Sequence, residues 1–255
     1  MILRRMAEAI RGQNWSTVAL EILIVVVGIF VGLQVNDWNQ ARIDRVLESR
    51  YLERLQADLL TDLGRLDSSE NLARVRMQQV KLLLDGIADP NVAAKQPNEF
   101  IAAAEKVSWA SYRAITPNAY AELVGTGRTT LVRSESLRDA LAEYYARIDF
   151  WGGVLNKASL DREFSIAAAG VLNIEYLAAI EESGPAQGLP VLGADVADAI
   201  SIAEELKSRT QATRLLPIIY KNHYTVTIAI AEHRERNEAL QIAIEKYLTG
   251  GRDYP

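Results

Sequence analysis

Cysteine is absent from the 255 residues. Disulfides, thiolate metal sites and cysteine nucleophiles are therefore excluded. Histidine is nearly absent: only His223 and His233 occur. Neither has a glutamate three residues before it, so the Glu-x-x-His pairs of di-iron bundles are missing. No His-Glu-x-x-His motif, Gly-x-Ser-x-Gly elbow or serine triad with a plausible histidine is visible. The two histidines are ten residues apart, which suggests nearly opposite faces of a helix; His223, on an apolar face, reads as a hydrogen-bonded core residue. The run Gly125-Thr-Gly127-Arg128-Thr129-Thr130 is no phosphate loop. The first glycine of that motif would fall at Glu122, arginine replaces its lysine, and no strand precedes it. It reads instead as a helix cap and turn. The expectation is a chain that is not an enzyme and carries no metal or cofactor.

Proline and glycine are also sparse, with seven and fifteen residues, and no proline precedes Pro90. Leucine and alanine are common, which favours helix. A basic face is missing too. The net charge is −5. Arg4, Arg5 and Arg11 against Glu8 and Glu21 leave about +1 before Asn36, and hence about −6 after it. The longest local basic patch is Arg74 to Arg76. An acidic domain lacks the electrostatic footprint of a nucleic-acid binder.

One long apolar run is present. From Ser16 to Val35 there is no proline, and twenty residues rising about 1.5 Å each cover roughly 30 Å, the hydrocarbon thickness of a bilayer. A buried core helix would show a polar stripe, whereas Ile22 to Leu33 is apolar on every face. A signal peptide would end in a small-x-small site, and Val35-Asn-Asp-Trp38 is a poor one. The run therefore reads as an uncleaved anchor over 16–36, following a short cytoplasmic tail over 1–15. Trp15 and Trp38 sit at the two interfaces, with Gln34, Asn36 and Asn39 at the exit. Basic residues on the two flanks are nearly equal in number, and the short tail before a large domain sets the N-terminus in the cytoplasm. Gly28-Ile-Phe-Val-Gly32 is a Gly-x-x-x-Gly pattern, which lets membrane helices approach and pair, and which also occurs by chance. Glu21 lies inside the apolar boundary. Its carboxylate must reach the headgroups, take a proton or find a partner in another helix.

The stretch Glu21-Ile-Leu-Ile-Val-Val-Val-Gly-Ile-Phe-Val-Gly-Leu-Gln-Val-Asn-Asp-Trp-Asn-Gln40 resembles the opening of an uncharacterised family of single-pass bacterial membrane proteins. In that family a glutamate starts the span and Gln-x-Asn-x-Trp-Asn ends it: here Glu21, then Gln34, Asn36, Trp38 and Asn39. Ala119-Tyr-Ala-Glu-Leu-Val-Gly-Thr-Gly-Arg-Thr-Thr-Leu-Val132, with Leu137-Arg138 and Tyr144-Tyr145, resembles a second family block. Gly125 stands where a serine is common. The resemblance implies a protein of the bacterial inner membrane with an extracytoplasmic helical domain, and it implies no activity.

Beyond the anchor, 37–255 reads as an all-α domain, an antiparallel helical bundle entered directly from the membrane helix. Leu52, Leu55, Leu59, Leu63 and Leu66 have core-facing spacing, so helix is expected to about Leu84, with a break near Gly64 or Ser68-Ser69. Loops are expected near 85–97, 112–117, 125–135 and 183–194. Helices are expected from Asn98 to Ser111, from Thr116-Pro117 with the threonine as cap, and from Ser136 with Asp139 as a capping box. The helix after Ser136 meets Gly152-Gly153, which can kink it, and resumes to Ile180. Asp195 caps a helix to Ser208, and a last helix covers Ile218 to Leu248 despite the strand-like alternation of Tyr224 to Ile230.

Asp58, Asp62, Glu204, Glu205, Glu232 and Glu235 read as solvated faces paired with arginines. Trp109, Tyr120, Tyr144, Tyr145 and Trp151 are candidates for one aromatic cluster, either core or ligand pocket. Two functions fit. One is a membrane-tethered interaction or scaffold protein that binds lipid and either a second copy of itself or another envelope protein. The other is a small-ligand sensor that signals through a partner membrane helix, using Glu21 or the Gly28 and Gly32 face.

Overall fold

The computed structural model describes residues 15–115, 117–157, 160–184, 190 and 192–250. Among these residues every regular element is a helix. In chain order they are α1 (Trp15–Ala88), α2 (Pro90–Lys95), α3 (Pro97–Lys106), α4 (Asn118–Gly125), a 3-10 turn (Thr129–Leu131), α5 (Glu135–Lys157), α6 (Asp161–Ala167), α7 (Ile174–Glu182), α8 (Val196–Ser208) and α9 (Thr210–Gly250). The all-α expectation holds. The chain divides into two compact units, Met1–Tyr51 and Leu52–Pro255.

The described residues of the first unit belong to α1. From Leu20 to Val35 its large apolar side chains are each more than half exposed, on every face. This stretch is long and apolar enough to cross a membrane.

In the second unit, α1 continues to Ala88 without a break. Gly64 does not interrupt it, and Ser68 Oγ donates to the Gly64 carbonyl one turn back at 2.9 Å. Ser69 instead faces inward and accepts a hydrogen bond from the Arg113 backbone N–H at 3.0 Å. The buried stripe runs Leu52, Leu55, Leu59, Asp62, Leu66, Ser69, Ala73, Arg76, Val80, Leu83, Ile87. Alternating steps of three and four make it a strict heptad pattern. Leu63, expected on the stripe, is only half-buried; Asp62 takes its place.

Helix α9 repeats the device. Ala212, Leu216, Ile219, His223, Val226, Ile230, His233, Asn237, Leu240 and Ile244 are its buried face, again at steps of four and three. Ten residues are seven plus three in this pattern, so both histidines fall on one stripe and the opposite-face expectation fails. Helix α9 also begins before Pro217 rather than after it. Burial of Leu216 and Ile219 on either side offsets the one hydrogen bond that proline cannot make.

Cross-links set the directions. Asn237 Nδ2 donates to the Leu59 carbonyl and Arg234 bonds Asp67 and Glu70, so α9 runs antiparallel to α1. Arg147 pairs with Glu232 and Glu143 with Arg236, so α9 also runs antiparallel to α5. The antiparallel bundle is thus present. At the other end of α9, Phe100, Ile101 and Ala104 of α3, Ile180 of α7 and Ile202 and Leu206 of α8 pack on Val80, Leu83, Leu216 and Ile219 as a second core.

Several boundaries differ from expectation. The 85–97 loop is mostly helix: Asp89 caps α2, accepting from the Asn91 N–H, and Pro97 opens α3. Helix α3 stops at Lys106, earlier than Ser111. Thr116 lies outside the described residues. Pro117 is the residue before α4, and the cap comes from another helix, where Asp58 of α1 accepts from the Ala119 N–H at 2.8 Å. Ser134, not Ser136, accepts from the Leu137 N–H at the start of α5. Helix α5 runs through Gly152-Gly153 to Lys157, and the segment after it is split into α6 and α7, with Gly170 at φ +83° between them. Asp195 caps α8 as expected, accepting from Asp198.

Candidate functional site

A heptad stripe places polar residues in the interior whenever the sequence puts them at its core positions. On α1 these are Asp62, Ser69 and Arg76, spaced by seven; on α9 they are His223, His233 and Asn237. An uncompensated buried polar group is costly, so each of these side chains either finds a partner or marks a site.

Asn237 is well satisfied. Its Nδ2 donates to the Leu59 carbonyl at 3.1 Å and to the Tyr144 hydroxyl at 2.9 Å, while its Oδ1 accepts from Gln241 at 2.6 Å. It ties three helices at one level. Beside Tyr144, Tyr145 stacks on Tyr120 with centroids 4.4 Å apart and meets Tyr144 edge-on at 5.0 Å. Asp62 is buried with Arg65 at 3.8 Å as its ion-pair partner. Burial pushes its carboxyl up to about 7, with the Asp58 charge adding to the rise and Arg65 opposing it. The Asp62 charge in turn raises the phenols of Tyr112, Tyr144 and Tyr145, for each of which burial is the main cause; Tyr112 reaches about 12. Asp62 Oδ2 and the Tyr112 and Tyr145 hydroxyls are buried without a hydrogen-bond partner among the described residues.

At the other polar level, His223 joins α9 to the segment after α3. Its Nε2 lies 2.9 Å from the Val107 carbonyl and its Nδ1 2.9 Å from Ser111 Oγ. A carbonyl only accepts, so Nε2 carries the proton and Nδ1 accepts from the serine. Burial lowers the His223 pKa, with Arg76 adding to the effect, which keeps the ring neutral. His233 is likewise held neutral by burial, and neither of its ring nitrogens has a hydrogen-bond partner among the described residues. A half-open cleft of about 120 Å³ borders this level, lined by Ser108, Ser111, Tyr112, His223, Ile219 and Val226 among others.

Arg76 and Lys106 are both buried, and each lies over the Trp109 ring, at 5.8 and 5.5 Å from its centroid. Burial pushes Arg76 down to about 10, so it stays charged at neutral pH. Lys106 Nζ donates to Ser183 Oγ and the Gly184 carbonyl, pinning the end of α7.

Glu232 lies at a partly exposed level of the α5–α9 face. It accepts from Arg147 at 2.5 and 3.0 Å, from Trp151 Nε1 at 2.9 Å and from Arg236 at 3.2 Å. The Arg147 hydrogen bonds chiefly hold its carboxyl down to about 2.

The five aromatic candidates therefore do not form one cluster. Tyr120, Tyr144 and Tyr145 come together, Trp109 sits with Arg76 and Lys106, and Trp151 sits with Glu232. Glu21, Gly28, Gly32, Gln34, Asn36, Trp38 and Asn39 all lie exposed on α1 in the first unit. A methyl group added at Gly28 or Gly32 would meet nothing within 4 Å. The side chain of Trp15 lies outside the described residues.

Two features escaped the sequence reading. Asp62 was expected on a solvated face and is buried, although its position seven residues after Leu55 placed it on the stripe. Ser111 and His223 are 112 positions apart and no local pattern links them. Among the described residues no group of three or more acidic or histidine side chains is placed to hold a metal.

The family model that matches this chain is described as a family of unknown function, DUF6090, and it covers residues 21–170. Both blocks that carried the resemblance lie within that range. No curated protein and no solved structure matches the chain.

Proposed function

We propose, for a chain that belongs to the DUF6090 family of unknown function, that it is a membrane-anchored helical interaction protein of the bacterial envelope. In this reading the helix over 16–36 crosses the inner membrane once, the N-terminus is cytoplasmic, and the helical domain lies outside the cytoplasm. The domain acts by binding a second copy or another envelope protein rather than by catalysis.

One observation carries the reading. The large apolar side chains from Leu20 to Val35 are exposed on all sides, so nothing among the described residues covers them. Water is a poor solvent for such a surface, at about 25 cal/mol for each Å² of apolar area. Lipid and a partner helix are the covers that remain. The face that carries Gly28 and Gly32 also carries Glu21, seven residues before Gly28, which puts the span's one carboxylate beside its closest-approach groove. Support for binding over catalysis comes from the interior. Asn237 uses its hydrogen bonds to join α9 to α1 and α5, and His223 uses its own to join α9 to the segment after α3.

The test is crosslinking in intact cells followed by purification from the membrane fraction. A crosslinked dimer or a reproducible envelope partner is expected, and Gly28→Leu with Gly32→Leu should weaken a dimer formed through the span. Recovery of monomer alone, in repeated experiments, would count against the interaction role. Release of the chain by alkaline washing would count against the anchor.

A further inference from the structure

The seam between α1 and α9 has a register, and the register sets an acid opposite a base. Asn237 of α9 donates to the Leu59 carbonyl of α1 at 3.1 Å. The helices are antiparallel, so one step back along the buried stripe of α9 meets one step forward along that of α1. Those steps are His233 and Asp62. The same count continued sets Leu216 opposite Val80, and these two do belong to one core at the far end of the seam. Packed helices about 8–10 Å apart leave facing side chains of one layer within reach of each other. We propose that Asp62 and His233 act as a single proton site across this seam: a neutral carboxylic acid facing a neutral imidazole, which becomes an ion pair when the proton passes from Asp62 to a ring nitrogen of His233.

Hydrogen bonding points the same way. Asp62 and His233 are both buried, at 1% and 0% exposure. Asp62 Oδ2 and both ring nitrogens of His233 have no hydrogen-bond partner among the described residues. A buried polar atom left alone is costly. A protonated carboxyl is a donor and a neutral imidazole carries an acceptor nitrogen, so each supplies what the other lacks. In the transfer the O–H bond of Asp62 breaks and an N–H bond of His233 forms. The net charge of the layer does not change.

The surroundings favour a pair over either ion alone. On α1, Arg65 stands 3.8 Å from Asp62 Oδ1, while the Asp58 charge opposes ionisation of Asp62. Tyr144 and Tyr145 of α5 and Tyr112 of the segment after α3 border Asp62 as neutral phenols, and the Asp149 charge of α5 also acts on Tyr112. Tyr120 of α4 stacks on Tyr145. Around His233 the charges are Glu232 and Arg236 of α9 and Arg147 of α5, a mixture of both signs. Burial opposes a carboxylate at Asp62 and an imidazolium at His233 when each stands alone. Opposite ions in one layer offset that cost for each other, so the two groups titrate together.

The experiment uses the full chain in lipid nanodiscs with isotopically nitrogen-labelled histidine. The ring nitrogens are followed by NMR from about pH 5 to about pH 9. His233 is expected to show a titration step near 7, where the Asp62 carboxyl ionises, although burial alone would hold its own step below the usual histidine range. Asp62→Asn should move that step down by at least about one pH unit. Asp62→Ser, a smaller neutral residue, serves the same purpose if Asp62→Asn fails to fold. His223, held by Val107 and Ser111, is the internal reference and should titrate alike in all three proteins. The proposal is overturned by a His233 ring that shows no step with Asp62 in the unaltered chain. It is equally overturned by a step that keeps its midpoint in a folded Asp62→Asn or Asp62→Ser variant.

Discussion

Two stretches of α1 are built from the same apolar residue types and live in opposite surroundings. Between Leu20 and Val35 the apolar side chains point in every direction and all are exposed within the chain. Between Leu52 and Ile87 they keep to one stripe, and Leu52, Leu55, Leu59 and Leu66 are fully buried. The polar residues are placed inversely. In the first stretch Glu21 and Gln34 mark the ends, whereas in the second Asp62, Ser69 and Arg76 interrupt the buried stripe itself. What separates the two is the arrangement of apolar residues rather than their number. An all-round distribution needs an apolar solvent, and a stripe needs a partner helix.

A charge placed in each stretch breaks the comparison most severely. Leu59→Asp puts an unpaired carboxylate on the face opposite Asn237, and it should abolish cooperative unfolding of the helical domain, a loss above about 4 kcal/mol. Circular dichroism against temperature reads this directly. Val26→Asp should leave that melt unchanged, because Val26 is more than half exposed among the described residues. It should instead move the protein out of the membrane fraction, since a mid-span aspartate costs about 2.5–3.5 kcal/mol on insertion. A Val26→Asp protein that stays wholly in the membrane, or one that melts early, would show that the two stretches are not separate in kind.

The polar residues on the buried stripe sharpen the comparison with a pH dependence. The folded Asp62 carboxyl sits at about 7, above its ordinary value of 3.8. Between those two values the folded state holds a proton that the unfolded chain has released, so stability falls as pH rises from about 4 to 7 and then levels off. Asp62→Asn should remove this slope and raise stability at pH 8 by up to about 4 kcal/mol, less whatever Arg65 loses. Urea titrations of both proteins at pH 5 and pH 8 measure it. Parallel slopes in the two proteins would mean that Asp62 is ionised in the fold.

The same contrast explains what could be read from the sequence. The apolar run needed only counting, and the helices needed only composition and sparse proline. The stripe of α1 is legible in its leucines; apolarity alone continues it to Leu63, whereas the heptad spacing continues it to Asp62. Carrying the spacing through polar residues identifies Asp62, Ser69 and Arg76, and likewise His233 and Asn237 on α9. Caps supplied by distant residues were not legible. Asp58 serves Ala119, and Ser111 meets His223, only because long helices bring them together. The aromatic residues were legible as interior or partly interior groups but not as three separate places, since nothing local says that Trp151 turns to Glu232 while Tyr145 turns to Tyr120.

Two glycines on α1 give the smallest and cleanest contrast. Both lie within the buried-stripe half of the helix, and both forgo roughly 0.5–1 kcal/mol of helix stability relative to alanine. At Gly64 an added methyl meets nothing within 4 Å. At Gly86 it would lie 2.3 Å from the Phe100 ring, which is itself fully buried in α3. Relieving that overlap requires the ring or the α1–α3 spacing to move, at about 1–3 kcal/mol. Gly86→Ala should therefore lower stability by about 1–2 kcal/mol, and Gly86→Ala with Phe100→Leu should recover part of it. Gly64→Ala should raise stability by about 0.5–1 kcal/mol, read as a higher urea midpoint at constant slope. If Gly64→Ala were destabilising instead, that face of α1 would be covered in solution by something outside this chain, and the helix would have a second packed face where its sequence shows only one.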